Sequence, residues 1–198
     1  MQAINPVIRI LITSDFFVLS GIGFFNPVLA IFVTQQVQGG DAQVAGFAWA
    51  IYFAMWIVQI PIGKYLDRNH GDIDDFWFLL TGAFFTAAVP FLYLFASLPW
   101  HVYLLQALLG LGRGISLPPW YALFTRRIDK AHEGYEWGME NVVAGMGLAL
   151  AGALAGIIVK RYGFEAAFIF AGFLSLIGSS ALIFLRRHAY QKDFFPAP

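Results

Sequence analysis

The sequence contains no cysteine, and only 12% of its 198 residues are charged. The first absence excludes disulfides, thiol catalysis and thiolate metal ligation. The second leaves too little polar surface to cover a water-soluble globule of this size. Enzyme signatures are missing too: there is no H-E-x-x-H, no G-x-S-x-G and no phosphate-cradling glycine loop, and the four histidines, at 70, 101, 132 and 188, are far apart in sequence. We therefore expect no enzyme, no metal site and no cofactor. The formal net charge is zero, and no nucleic-acid partner is expected.

What the chain has instead is apolar length. Hydrophobic residues make up 59% of it, and its mean hydropathy is +0.68. Six apolar stretches run about 7–33, 44–65, 76–96, 101–124, 138–159 and 165–185. Each is about 20 residues long, enough for a helix rising ~1.5 Å per residue to cross a hydrocarbon core of ~30 Å. The expected fold is an all-α integral membrane protein, a single domain over 1–198 with six transmembrane helices. The first stretch is too long for the apolar part of a signal peptide and no small-residue cleavage site follows it, so it reads as a retained span.

Basic residues orient the spans. Lys64, Arg68, Arg126, Arg127, Lys130, Arg186, Arg187 and Lys192 fall in the 2–3 loop, the 4–5 loop and the tail, with Arg9 near the first span; the opposite side carries Lys160 and Arg161. The positive-inside rule then puts both termini in the cytoplasm and argues against dual topology. The expected location is a plasma (inner) membrane.

Glycine and proline mark close approach and bending. The fifth stretch carries Gly145, Gly147, Ala149, Gly152, Ala153 and Gly156, with a small-xxx-small pair at Gly152 and Gly156. In lipid, such a face gains packing energy by letting another backbone approach, either within the bundle or from a second one. Gly110, Gly112 and Gly114 do the same on the fourth stretch, and Pro118 and Pro119 predict a bend there. Overlaying the halves aligns Gly63-Lys-Tyr-Leu-Asp67-Arg68, followed by Gly71, with Gly156-Ile-Ile-Val-Lys160-Arg161, followed by Gly163. Three spans followed by three more, entering from opposite sides, form an inverted repeat of a kind many transporters use.

Gly63-Lys-Tyr-Leu-Asp67-Arg68 resembles the G-x-x-x-D-R/K signature between the second and third helices of the major facilitator superfamily. The likeness extends to Pro27 late in the first helix, Gly110-Leu-Gly112 with Pro118 in the fourth, the small-residue ladder of the fifth, and Tyr162-Gly163-Phe164-Glu-Ala-Ala-Phe168 opening the sixth. It covers about 7–187 and equals one six-helix half of the usual twelve, a 3+3 inverted repeat. The chain departs from the pattern in three places. Asn69-His70-Gly71 leads into Asp72, Asp74 and Asp75 where the family has a basic run; Gln106 stands where many members have arginine; and the fifth helix lacks the proline of the antiporter signature, which leaves a proton/drug antiporter class unsupported.

The resemblance implies parallel halves with solute between them at mid-bilayer, and hence a half-length transporter working as a parallel homodimer by alternating access. A heteromer with a separately encoded half, or a non-transporting membrane scaffold, are the alternatives. Arg113, about twelve residues into the fourth stretch, is the first candidate for solute binding, because a cation at that depth costs about 2.5–3.5 kcal/mol even on lenient scales. By resemblance it lines the cavity; its bland role is to snorkel or to hydrogen-bond carbonyls near the prolines.

Asp15, on another helix that lines the cavity by resemblance, is the candidate to pair with Arg113 or to carry a coupling proton, with capping after Thr13-Ser14 as the competitor. Counted from Arg9 and Arg126, the two lie about 10 Å apart in depth. Asn26, Gln59 and Gln106 are uncharged polar groups at membrane depth, suited to binding solute or bridging helices. Glu140 and Asn141 open the fifth span. Glu133, Glu136 and Glu140 share a helical face, read as a solvated cytoplasmic face with a gate contact as the sharper alternative. Gly63, Asp67 and Arg68 govern gating by family analogy, and Gly145, Gly152 and Gly156 serve helix or dimer packing. Trp49, Tyr52, Phe53 and Trp56 form an aromatic stripe, read as packing or lipid contact ahead of solute stacking. Paired arginines favour an anionic solute, while aromatic walls also suit a neutral sugar or an amphipathic drug.

Overall fold

In a computed structural model, residues 5–69 and 71–190 are described; His70 and Lys192 lie outside them. The elements are α1 (Pro6–Gln36), α2 (Ala42–Ala54), α3 (Gln59–Asn69), α4 (Asp72–Leu92), α5 (Pro99–Arg127), α6 (Glu133–Ala181) and the short α7 (Arg186–Ala189). A 3-10 turn at Met55–Val58 joins α2 to α3, and two others extend α4 and link α6 to α7. The starts follow from local chemistry. Asn5 Oδ1 accepts from the Val7 N–H at 2.9 Å with Pro6 at the first helical position, and Asp41 Oδ1 accepts from the Val44 N–H at 2.8 Å. Asp72, Asp74 and Asp75 sit in the first turn of α4 and Arg126 and Arg127 in the last turn of α5, each matching the sign of the helix end it occupies. Pro118 and Pro119 lie within α5, which runs helical across them.

By length and composition, Pro6–Gln36, Ala42–Arg68, Asp72–Phe95 and Glu133–Ala189 qualify to cross a membrane. The last of these doubles back. α6 leaves helical geometry at Gly163, where φ is 85° and ψ 175°, a region that is essentially glycine's alone. On one side of that residue Gly147 abuts Ser20 of α1; on the other, Ser175 abuts Gly21, the next residue of α1. Two positions on opposite sides of Gly163 at one level of α1 require the chain to reverse between them. The two arms, 133–162 and 164–181, therefore both pack on α1.

Two apolar cores divide the bundle. Near the Gly163 bend, Phe25, Phe32, Tyr93 and Phe168 interlock, with ring centroids 4.8 Å apart for Phe25–Tyr93 and 4.9 Å for Phe32–Phe168; such pairs contribute about 0.5–1.5 kcal/mol beyond area burial. At the other end, Ile8, Leu11, Phe76, Phe124 and Leu182 form the second core. The helices are unequally covered. In the most apolar 18-residue windows, 56% of α1 and 44% of the α4 span is buried, but 17% of the α2–α3 span and 22% of the α6 span. Val142, Met146, Leu150, Leu154 and Ile157 stand exposed on the first arm of α6, and Phe47, Phe53, Ile57 and Ile60 on α2–α3.

Candidate functional site

The chemistry gathers at the seam between the two cores. On α1, Ile12 belongs to one core and Phe24 to the other, with Asp15 between them; on α5, Leu109 and Trp120 flank Arg113 in the same way. The Arg113 guanidinium acts electrostatically on Asp15, and the Asp15 carboxyl is within hydrogen-bonding reach of the Glu140 carboxyl. Tyr52 of α2 brings its hydroxyl within hydrogen-bonding reach of Arg113, and its ring packs against Trp56 with centroids 5.5 Å apart. Four helices thus contribute one cation, two acids and a phenol to one cluster. Glu140 and Tyr52 are buried, and Asp15 and Arg113 are half-buried. Arg113 Nε is buried without an acceptor, so the guanidinium keeps an unused donor.

Close backbone approach places these groups. A Cβ on Gly110 would run into the Tyr52 carbonyl, and one on Gly114 would lie 3.2 Å from the Met55 carbonyl oxygen. α2 therefore lies against α5, which brings Tyr52 and Trp56 up to Arg113. Gly23 and Gly147 do the same for α1 and α6, since a Cβ on either would press into the other helix. The separation of about 10 Å in depth counted along the sequence does not keep Asp15 from the Arg113 field, because a long guanidinium side chain spans more than one helical turn.

Other residues expected at a site fall elsewhere. Gln106 is buried and hydrogen-bonds with Tyr93 in the core near the bend, bridging α5 to the end of α4. Asn26 is half-buried about three turns from Asp15 along α1, and Gln59 is half-buried two turns past Tyr52. Glu133 is exposed and Asn141 is exposed, its amide donating to the Trp137 carbonyl at 3.0 Å, whereas Glu136 and Glu140 are buried. The acidic face therefore departs from a solvated one: it turns into the bundle after its first residue. Gly145 and Gly156 have open space around them, while Gly152 approaches the Gly23 carbonyl at 3.5 Å. Tyr52 and Glu140 are the members of the cluster that sequence reasoning assigned to other roles. A cavity of about 350 Å³ beside the bend, lined in part by Phe32, Gln36, Tyr162 and Glu165, shares no residue with the cluster.

A second charged group closes the far end. Arg126 pairs with Asp75 and lies 3.5 Å from Asp72, and Arg127 pairs with Asp72. Asp75 is almost fully buried, at 1% exposure. Burial pulls the Arg126 guanidinium below its ordinary value, opposed by Asp72 and by Asp67, and it stays charged all the same. The acids at the start of α4, in the place of the usual basic run, are thus matched by arginines at the end of α5. Gly63 is half-buried, and Asp67 and Arg68 are exposed at the end of α3.

Long apolar helices around a cation and two acids define a polytopic helical membrane protein. The Major Facilitator Superfamily model matches residues 11–197, and the chain belongs to that family. It is 24% identical over 166 residues to an uncharacterized MFS-type transporter of Methanocaldococcus jannaschii, covering 84% of this chain and 42% of the relative. It is 26% identical over 192 residues to the human MFS-type transporter SLC18B1, covering 86% of this chain and 40% of that protein. Among solved structures, the POT family transporter PepTSo superposes with a TM-score of 0.74 at 17% identity, covering 97% of this chain and 39% of its own. An auto-inhibited POT family peptide transporter gives 0.72 at 18% identity, covering 98% and 40%. These last two likenesses concern the fold alone. The chain spans about two-fifths of the length of the proteins it matches.

Proposed function

We propose that this chain is half of a secondary transporter: six crossings in a three-plus-three inverted arrangement that moves a small solute by alternating access through a cavity shared with a second, parallel bundle. The crossings are α1, α2–α3, α4, α5 and the two arms of α6. The end bearing Arg126 and Arg127 faces the cytoplasm of a plasma (inner) membrane, with both termini on that side. The observation that carries the reading is the Asp15–Tyr52–Arg113–Glu140 cluster. Ionisable groups at membrane depth are costly and persist where they line a water-filled path or bind something, and the unused Arg113 donor offers a solute acceptor a partner.

A second copy supplies the other bundle. Two features favour it: the thinly covered faces of α2–α3 and of the first arm of α6, and the open positions at Gly145 and Gly156 where another backbone fits. The relatives matched here carry further chain beyond the matched two-fifths. Gating falls to Gly63, Asp67 and Arg68 at the cytoplasmic rim.

Reconstituted protein is expected to exchange solute across proteoliposomes, and Arg113→Ala is expected to abolish flux while its melting profile stays cooperative. Absent or unchanged flux across a broad solute panel would favour a scaffold. Single cysteines at Gly152 and Gly156 are expected to cross-link two copies in lipid, more readily at the open Gly156; a monomer-only result refutes the homodimer.

A further inference from the structure

At the end of the bundle that carries Arg126 and Arg127, a groove joins a cation to an apolar wall. It runs between the start of α1 and the end of α6, has a volume of about 380 Å³, and is lined by Pro6, Arg9, Ile10, Thr13, Ala181 and Phe184. Arg9 is exposed, and among the described residues no carboxylate lies within ion-pairing distance of it. Other arginines of this end are occupied: Arg126 and Arg127 pair with the acids of α4, and the Arg186 guanidinium lies 5.8 Å from the centre of the Tyr190 ring. The Thr13 hydroxyl donates to the Arg9 carbonyl at 2.7 Å, and Pro6 has no N–H, so the guanidinium is the side chain left to donate into the groove. Charge here is of one sign. α1 carries no acid before Asp15, the chain from 166 to 190 carries none, and Arg187 follows Phe184 by three residues, on the same side of the helix. Toward the middle of the span, Phe173 and Ile177 stand exposed on the face that Phe184 occupies, so the groove opens onto a continuous apolar strip.

We propose that this groove holds one anionic phospholipid, its phosphate on the Arg9 guanidinium and an acyl chain along Phe184, Ile177 and Phe173. A guanidinium presents its donors in a fork that matches two phosphate oxygens, and basic side chains at headgroup level attract anionic lipid. The apolar strip selects a lipid over a soluble anion, which would leave that surface unused. The charge selects an anionic headgroup over a zwitterionic one, because an ammonium group would find no acid in the groove and would meet the field of Arg9 and Arg187. A lipid so seated ties the start of α1 to the end of α6. The inference needs α1 to cross a bilayer with Arg9 at headgroup level, as its length and composition allow, and does not need the protein to transport anything.

Native mass spectrometry tests this on protein in mixed micelles holding equal amounts of phosphatidylglycerol and phosphatidylcholine with the same acyl chains. The chain is expected to retain phosphatidylglycerol with a preference of about fivefold or more, the worth of one basic residue at a headgroup. Arg9→Gln, an exposed substitution checked for unchanged melting, is expected to remove that preference. Lys130→Gln, which takes away another exposed cation in the loop after α5, is expected to keep it. Ala181→Phe, which narrows the groove and leaves the charge alone, is expected to lower retention of phosphatidylglycerol. Equal retention of the two lipids by the native chain overturns the proposal, and so does a loss with Lys130→Gln as large as with Arg9→Gln, since diffuse charge would then be the cause. Displacement of phosphatidylglycerol by millimolar inorganic phosphate also overturns it, in favour of a soluble anion. Selective retention by a protein that moves no solute would leave this inference standing and defeat the transporter reading instead.

Discussion

Replacing Arg113 by leucine asks whether the guanidinium balances the acids beside it. The substitution leaves the carboxyls of Asp15 and Glu140 near each other at the seam of the cores, without the cation whose charge acts on Asp15. The folded variant relieves that charge by taking up a proton. At pH 7 this costs about 4 kcal/mol, from 1.36 kcal/mol for each unit separating the pH from an ordinary aspartate value of about 3.9.

The proton account adds a pH signature that lost packing lacks. A carboxyl that is protonated in the folded variant but ionised when unfolded contributes no deficit at low pH and a growing one as pH rises. The deficit should therefore climb by about 1.4 kcal/mol per unit, from about 2 kcal/mol at pH 5.5 to about 4 at pH 7. Adding Asp15→Asn to the same chain removes the acid that needs the proton, and most of the loss should return. Reversible unfolding in mixed micelles, followed at several pH values for the single and double variants, measures this. A deficit that stays flat between pH 5.5 and 7, or that Asp15→Asn leaves untouched, refutes the idea that the Arg113 charge offsets that of Asp15.

Much of the fold is legible in the sequence because lipid is a demanding solvent. The apolar stretch at about 7–33 corresponds to α1 (Pro6–Gln36), since a crossing helix must hold its own backbone hydrogen bonds; the stretch at about 101–124 falls within α5 (Pro99–Arg127), which is helical but is not one of the four spans that qualify by length and composition. Asp15 and Arg113 stand out for the same reason: a charge inside an apolar run is conspicuous. Their proximity is not readable, because depth counted along two helices ignores tilt and the reach of a guanidinium. Glu140 shows a different limit. The spacing of Glu133, Glu136 and Glu140 places them on one face, but periodicity does not say what that face meets; here it turns inward, and Glu140 reaches Asp15. Tyr52 is hidden among the aromatics of α2, where nothing in the sequence separates the ring that meets Arg113 from those that meet lipid. The acids of 72–75 depart visibly from the family pattern, yet their partners at Arg126 and Arg127 emerge only when α4 lies beside α5.

Burial ranks the acids at the far end. Asp75→Asn, at a position 1% exposed and paired with Arg126, should cost about 1–3 kcal/mol in the same unfolding assay, whereas Asp67→Asn, exposed at the end of α3, should stay within about 0.5 kcal/mol. Equal losses would mean that burial of the carboxylate is not what sets its worth. The reversal of α6 offers the sharper contrast. At Gly163 the backbone, with φ of 85° and ψ of 175°, lies where a Cβ is strained whatever the surrounding space, so Gly163→Ala should cost about 1–3 kcal/mol. Gly156 also has open space around it but sits in regular helix, so in monomeric detergent-solubilised protein Gly156→Ala should be neutral or stabilising by up to about 1 kcal/mol. Since neither alanine meets a neighbour, the difference between them isolates backbone geometry. If the two substitutions prove equally tolerated, the hairpin does not depend on the left-handed residue between its arms.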